Sequence, residues 1–100
     1  YSSAASDVYK RQIESWNLPV VQGVRGLGLL LGIGLNPEMV AAPEGKTIAS
    51  VVVEALRQEG LLSVPAGPET VRLLPPLNVS EEEIQQALAI IRRVLKTYAK

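Results

Sequence analysis

The chain has 100 residues, 47% of them hydrophobic, with ten basic side chains against ten acidic. That supplies one small core, and the balanced charge argues against a basic nucleic-acid surface or a polybasic membrane patch. Cysteine and histidine are absent, which excludes a disulfide framework, a thiolate metal site and any Ser-His-Asp or Cys-His catalytic set within the chain. The commonest general base and metal ligand is missing with histidine. Aromatic residues are few and Phe is absent, which argues against a base-stacking platform.

Residues 7–12 (DVYKRQ) look like a sequencing adapter translated in frame. Residues 1–12 are therefore expected to be a non-native segment, with residues 13–100 as the domain proper. The alternative is a native helix that continues into residues 13–16. The segment lacks the apolar stretch of a secretory signal. Residues 17–19 read as a turn. Residues 20–25 and 28–35 read as strands, or as one bent ribbon, and their near-continuous apolar character predicts burial. Glycines at 26, 28, 32 and 34 predict bulges, or backbone packed closely against another surface. A dinucleotide fingerprint would need a third glycine where Leu31 stands. The apolar run at 26–35 is too short and glycine-rich to span a bilayer.

Residues 36–46 read as a loop. Gly45-Lys46-Thr47 resembles the end of a phosphate loop, but Val40 stands where that motif needs glycine. Thr47 is better read as a helix N-cap. The helix runs to about Gln58 and is expected to bury Ile48, Val51, Val52, Ala55 and Leu56, with Gly60 as its stop. Residues 61–64 and 70–74 read as strands joined by the turn at 65–69 (PAGPE), a plausible hairpin. Ser80 and Glu83 make a capping box, and Glu81, Glu82 and Glu83 suit the positive end of a helix better than a metal or acid–base cluster. Ile84, Ala87, Leu88, Ile91, Val94, Leu95 and Tyr98 mark the buried face of that long helix. Arg92, Arg93 and Lys96 lie toward its negative end.

Arg72 interrupts an apolar run that Pro75 and Pro76 then stop. Alternation puts Val71 and Leu73 on one face of a strand, with Arg72 and Leu74 on the other. A guanidinium held there offers a planar fork to a carboxylate or phosphate. A snorkelling arginine or a surface ion pair is the structural alternative. The whole pattern predicts a two-layer α+β domain. It has about four short strands in a mixed or mainly antiparallel sheet, with two amphipathic helices on one face.

Five pieces in order carry a resemblance: residues 24–33 (VRGLGLLLGI), 60–62 (GLL), 66–68 (AGP), 71–77 (VRLLPPL) and 80–84 (SEEEI). Together, over about residues 18–98, they resemble the C-terminal small domain of class III, pyridoxal-phosphate-dependent aminotransferases of fold type I. Within that family they look most like the acetylornithine and ornithine aminotransferase group. The resemblance implies a parent enzyme that moves an amino group from N-acetylornithine, or a related ω-amino donor, to 2-oxoglutarate. It implies a cytoplasmic homodimer with an N-terminal large domain that this chain lacks, and no nucleic-acid or membrane partner. By position, Arg72 matches the arginine that binds the substrate α-carboxylate. Gly67 and Pro68 match the turn beside the site, and Arg25 is read as structural. The Schiff-base lysine, the aspartate facing the cofactor's ring nitrogen and the phosphate loop lie upstream in the family. None of Lys10, Lys46, Lys96 and Lys100 has that lysine's context. The chain alone is therefore expected to hold neither pyridoxal phosphate nor a metal, and to be inactive. The alternative is a free-standing α+β ligand-binding or regulatory module. A fragment is expected to leave an apolar patch on the sheet, whereas such a module would bury it or pair it in a dimer.

Overall fold

The computed structural model describes residues 2–27, 30–73 and 80–98. The start of the expected strand at 28–35, and the expected strand end at Leu74 and Pro75, lie outside these residues. The elements run α1 (Ser2–Ser15), β1 (Val21–Leu27), β2 (Leu30–Leu35), α2 (Ile48–Gln58), β3 (Ser63–Pro65), β4 (Thr70–Leu73) and α3 (Glu81–Lys96). The four strands form one sheet in the order β1-β2-β4-β3. Every neighbouring pair is antiparallel, so the sheet is the antiparallel member of the two kinds expected.

Register explains which face is buried. Val24, Ile33 and Val71 stand opposite one another across β1, β2 and β4. All three are buried, and they share one core with Tyr9 and Ile13 of α1, Val52 and Leu56 of α2, and Ile91 and Leu95 of α3. Side chains alternate along a strand, so the neighbouring positions Arg25, Gly32 and Arg72 point away from the helices. All three helices lie on one face; among the described residues no helix covers the other, where Arg25 is exposed, Gly34, Thr70 and Arg72 are partly exposed and Gly32 is buried. Leu31, Leu35, Ile91 and Ala49 are each fully buried, at 0% exposure.

Local chemistry sets the helix ends. Thr47 accepts the Ser50 N–H at 3.1 Å and caps α2. Gly60 takes a left-handed φ of +95°. Its N–H donates to the Arg57 carbonyl, and the Leu61 N–H donates to the Leu56 carbonyl. This pair of bonds is the Schellman closure that glycine permits. It also explains a boundary difference. The Leu61 backbone is committed to the helix cap, so β3 starts at Ser63 and not at Leu61. In α2 the buried residues are Ala49, Val52 and Leu56, with Ile48, Val51 and Ala55 only partly covered. The buried stripe is rotated toward Ala49 relative to the expected set, because a small residue is needed where the helix start meets the β3–β4 turn. There the Ala49 N–H donates to the Pro68 carbonyl at 3.1 Å.

The capping box of α3 is formed in both directions. The Glu83 N–H donates to Ser80 Oγ at 3.1 Å, and the Ser80 N–H donates to Glu83 Oε1 at 3.0 Å. These bonds hold the Glu83 carboxyl below its ordinary range, the backbone bond from Ser80 contributing most. Residues 7–12 fall within α1, where Tyr9 is 4% exposed.

Candidate functional site

Arg72 sits on an inner strand, with β2 on one side and β3 on the other. Its backbone faces Gly32 and Val64. Val71 and Leu73, on either side of it, are fully anchored in the core, while Arg72 itself is half-buried on the outer face. The strand is thus held by two large apolar neighbours, and the guanidinium between them is presented outward. The turn at 65–69 steadies the same strand. The Ala66 N–H donates to the Thr70 carbonyl at 2.8 Å, and the Leu35 N–H donates to the Glu69 carbonyl at 2.7 Å. Gly67 takes a φ of +104° within that turn, a conformation that side chains with a Cβ avoid.

An open groove of about 580 Å³ runs over this outer face. Arg25, Gly32, Gly34, Ala66, Thr70 and Arg72 line it, with Gln22 to Val24 at one end. The structure therefore brings Arg25 and Arg72 into one row, separated by Gly32. Arg25, structural on its sequence alone, thus shares a groove with Arg72. Two-residue alternation would have put each arginine on a polar strand face, but only the register between β1, β2 and β4 places both in the same groove. Gly67 and Pro68 close the adjoining turn and do not line the groove.

The electrostatics of the groove are one-sided. Among the described residues no carboxylate lines it. The ion pairs among the described residues join Lys10 to Glu14, Arg57 to Glu54 and Arg93 to Glu59, and all three lie on helices or their ends. Neither Arg25 nor Arg72 takes part. The groove can bind an anion, and a fork of guanidinium N–H groups suits a carboxylate in bidentate fashion. Its described lining residues offer no group for proton transfer at neutral pH.

Of the lysines, Lys10 belongs to α1, Lys46 precedes α2 and Lys96 ends α3; Lys100 lies outside the described residues. Among the described residues no lysine lines the groove. The groove's own residues therefore do not fit pyridoxal phosphate, which needs a lysine for its aldehyde and an acid for its ring nitrogen. Among the described residues there is no cluster of three potential metal ligands, and no helix is long and apolar enough to cross a membrane.

The fold is an α+β domain, with its helices on one face of an antiparallel sheet and Arg72 on the other. The chain belongs to the class III aminotransferases: the family model for "Aminotransferase class-III" matches residues 3–95. It is 40% identical over 88 residues to an acetylornithine aminotransferase of Bacillus cereus, a match that covers 88% of this chain and 20% of that protein. It is 46% identical over 76 residues to an acetylornithine aminotransferase of Thermosynechococcus vestitus, covering 76% and 17%. The crystal structure of acetylornithine aminotransferase from Elizabethkingia anophelis superposes with a TM-score of 0.79 at 26% identity, covering 96% of this chain and 24% of that one. The chain spans about a fifth of the length of the curated relatives it matches.

Proposed function

We propose that this chain is the C-terminal small domain of a pyridoxal-phosphate-dependent transaminase. The parent would pass an amino group from N-acetylornithine, or a related ω-amino donor, to 2-oxoglutarate. Arg72 is the residue we assign to substrate. Its guanidinium would take the substrate carboxylate in a two-bond salt link and fix the orientation of the reacting carbon. The observation that carries this reading is the placement of Arg72: a half-buried arginine on an inner strand, without a carboxylate partner among the described residues, facing an open groove. The large domain, the cofactor, the homodimer and the cytoplasmic setting belong to this proposal for the parent. So does the inactivity of the chain by itself.

The test is a hybrid in which this chain replaces the matching C-terminal fifth of the Bacillus cereus relative. Transamination of N-acetylornithine with 2-oxoglutarate is measured with Arg72 intact and with Arg72→Ala. The expected loss in kcat/KM is about a hundredfold, or about 2.7 kcal/mol of transition-state stabilisation. An active hybrid that is indifferent to the substitution refutes the role of Arg72. A folded, cofactor-loaded hybrid without activity toward any ω-amino donor favours the free-standing binding module.

The adapter origin of residues 1–12 is a separate proposal. It requires that Tyr9 enters the core by coincidence of its helical spacing from Ile13. Resequencing the locus from an independently prepared amplicon decides it, and an uninterrupted native frame through these codons refutes it.

A further inference from the structure

Two guanidinium groups share the groove, and they are held differently. Arg72 stands on an inner strand between two buried neighbours, whereas Arg25 stands on the edge strand β1 and is exposed. Both face Gly32 across the sheet. Two strand spacings, or about 10 Å, therefore separate their backbones. Gly32 is buried between them and adds no side chain to the row.

The charge around this row is lopsided. All ten acidic side chains of the sequence fall at described positions, and none lines the groove. Even Glu69, beside Thr70 in the chain, stays outside it. Of the described large hydrophobic residues only Leu62 and Val64 are exposed, so positive charge rather than an apolar patch marks this face. The zero formal charge of the chain thus hides a local field centred on the two arginines.

The two guanidinium groups can use that charge in different ways. Arg72 is fixed by its strand, which suits a two-bond link to a carboxylate. Arg25 is exposed at the sheet edge, and holding its long side chain in one bidentate geometry would cost rotamer freedom. Its field acts without that cost. A unit charge about 10 Å from a carboxylate held by Arg72 changes the affinity for a monoanion by about two- to fifteenfold, for an effective dielectric between about 80 and 20. The energy scales with the charge of the ligand. A dianion therefore feels the square of that factor, and a zwitterion of zero net charge feels little of it.

We infer that Arg25 sets substrate preference by charge: its field draws dianionic acids to Arg72 and leaves zwitterionic ones nearly unaffected. This rests on the reading of the chain as a transaminase small domain with Arg72 on the substrate carboxylate. It separates the two substrates of that reading, since 2-oxoglutarate carries two carboxylates and N-acetylornithine carries one carboxylate balanced by one ammonium. Arg25 then favours the acceptor over the donor without touching either.

The first test needs no cofactor. The isotope-labelled 100-residue chain is titrated with glutarate and with acetate, and the amide signals of Gly32 and Thr70, which line the groove, report binding. In about 0.01 M salt the screening length is about 30 Å, and in about 1 M salt it is about 3 Å. At the lower salt Arg25→Gln should weaken glutarate binding by about threefold or more, and acetate binding by about the square root of that factor. At the higher salt both effects should vanish. Arg25→Lys should keep the original affinities, because a point charge suffices, whereas Arg72→Lys should not, because the planar fork is lost. A chain indifferent to glutarate overturns the inference, as does an Arg25→Gln variant that binds it unchanged at low salt. A loss that persists at high salt, or that Arg25→Lys fails to rescue, makes Arg25 a direct contact and overturns its action through the field. In the hybrid with the Bacillus cereus relative, Arg25→Gln should lower kcat/KM for 2-oxoglutarate by a similar salt-dependent factor and leave that for N-acetylornithine within about twofold. The two proposals fail separately. An active hybrid whose 2-oxoglutarate kinetics ignore Arg25→Gln refutes this one alone, and salt-dependent glutarate binding beside an inactive, cofactor-loaded hybrid refutes the transaminase reading alone.

Discussion

Replacing Gly34 by Ala should stabilise the free chain, although the position lies inside a strand of the sheet. The new methyl would sit 3.6 Å from the Gly23 carbonyl oxygen and 3.8 Å from the Gly23 nitrogen, both ordinary van der Waals separations. The backbone there is not left-handed, so alanine adopts it without strain. The gain comes from the unfolded chain, which loses conformational freedom, and is about 0.4–1 kcal/mol. For a domain of this size that corresponds to a rise in Tm of about 2–5 °C. Gly60→Ala is the matched control. Its φ of +95° closes the cap of α2, and a Cβ in that region costs about 1–2 kcal/mol. Urea unfolding of both variants with a common slope gives the two values directly. The reasoning fails if Gly34→Ala lowers stability by about 1 kcal/mol or more, since the glycine would then be needed by the fold itself.

Ile13→Ala removes a side chain that is 1% exposed and should cost about 2–4 kcal/mol, whereas Arg11→Ala on the exposed side of α1 should stay within about 0.5 kcal/mol; equal effects in urea titrations would show that α1 is not part of the core. The Glu83 carboxyl is held low by its bonds to Ser80, so its contribution is fully present above the ordinary value of 4.5 and is lost as pH falls through the lower folded value. Thermal melts on the acid side should therefore show a component that Glu83→Gln removes. Burial, with the Glu83 charge second, pushes the Tyr9 phenol above its ordinary value of 10.0. Stability from the neutral phenol is present below that value and lost as pH rises through the raised one. Tyr9→Phe should accordingly flatten the alkaline fall in Tm, and an unchanged alkaline limb would refute the assignment.

The local chemistry of this chain was legible in its residue order. Thr47, Gly60, Ser80 and Glu83 act on backbone groups a few residues away, so their caps and stops could be read one segment at a time. Helical and two-residue spacing likewise marked Leu56, Leu88, Val71 and Leu73 as core and Arg72 as outward, because both periods are properties of a single element. The ordered motifs from Val24 to Ile84 carried the family for the same reason.

Register and packing were decided only in three dimensions. Whether β1 and β2 make one ribbon or a hairpin, and which residue of one faces which residue of the other, depends on bonds between segments that no single segment specifies. That register sets Arg25, Gly32 and Arg72 in one row, although Arg25 and Arg72 lie far apart in the sequence. It also shows that a Cβ at Gly23, Gly32 or Gly34 would meet no atom closer than 3.6 Å, so no close approach within the described fold requires these three glycines. The rotation of α2 toward Ala49 has the same origin. Its buried stripe is chosen by the Pro68 carbonyl that meets its first turn, a contact between parts of the chain that spacing alone cannot bring together.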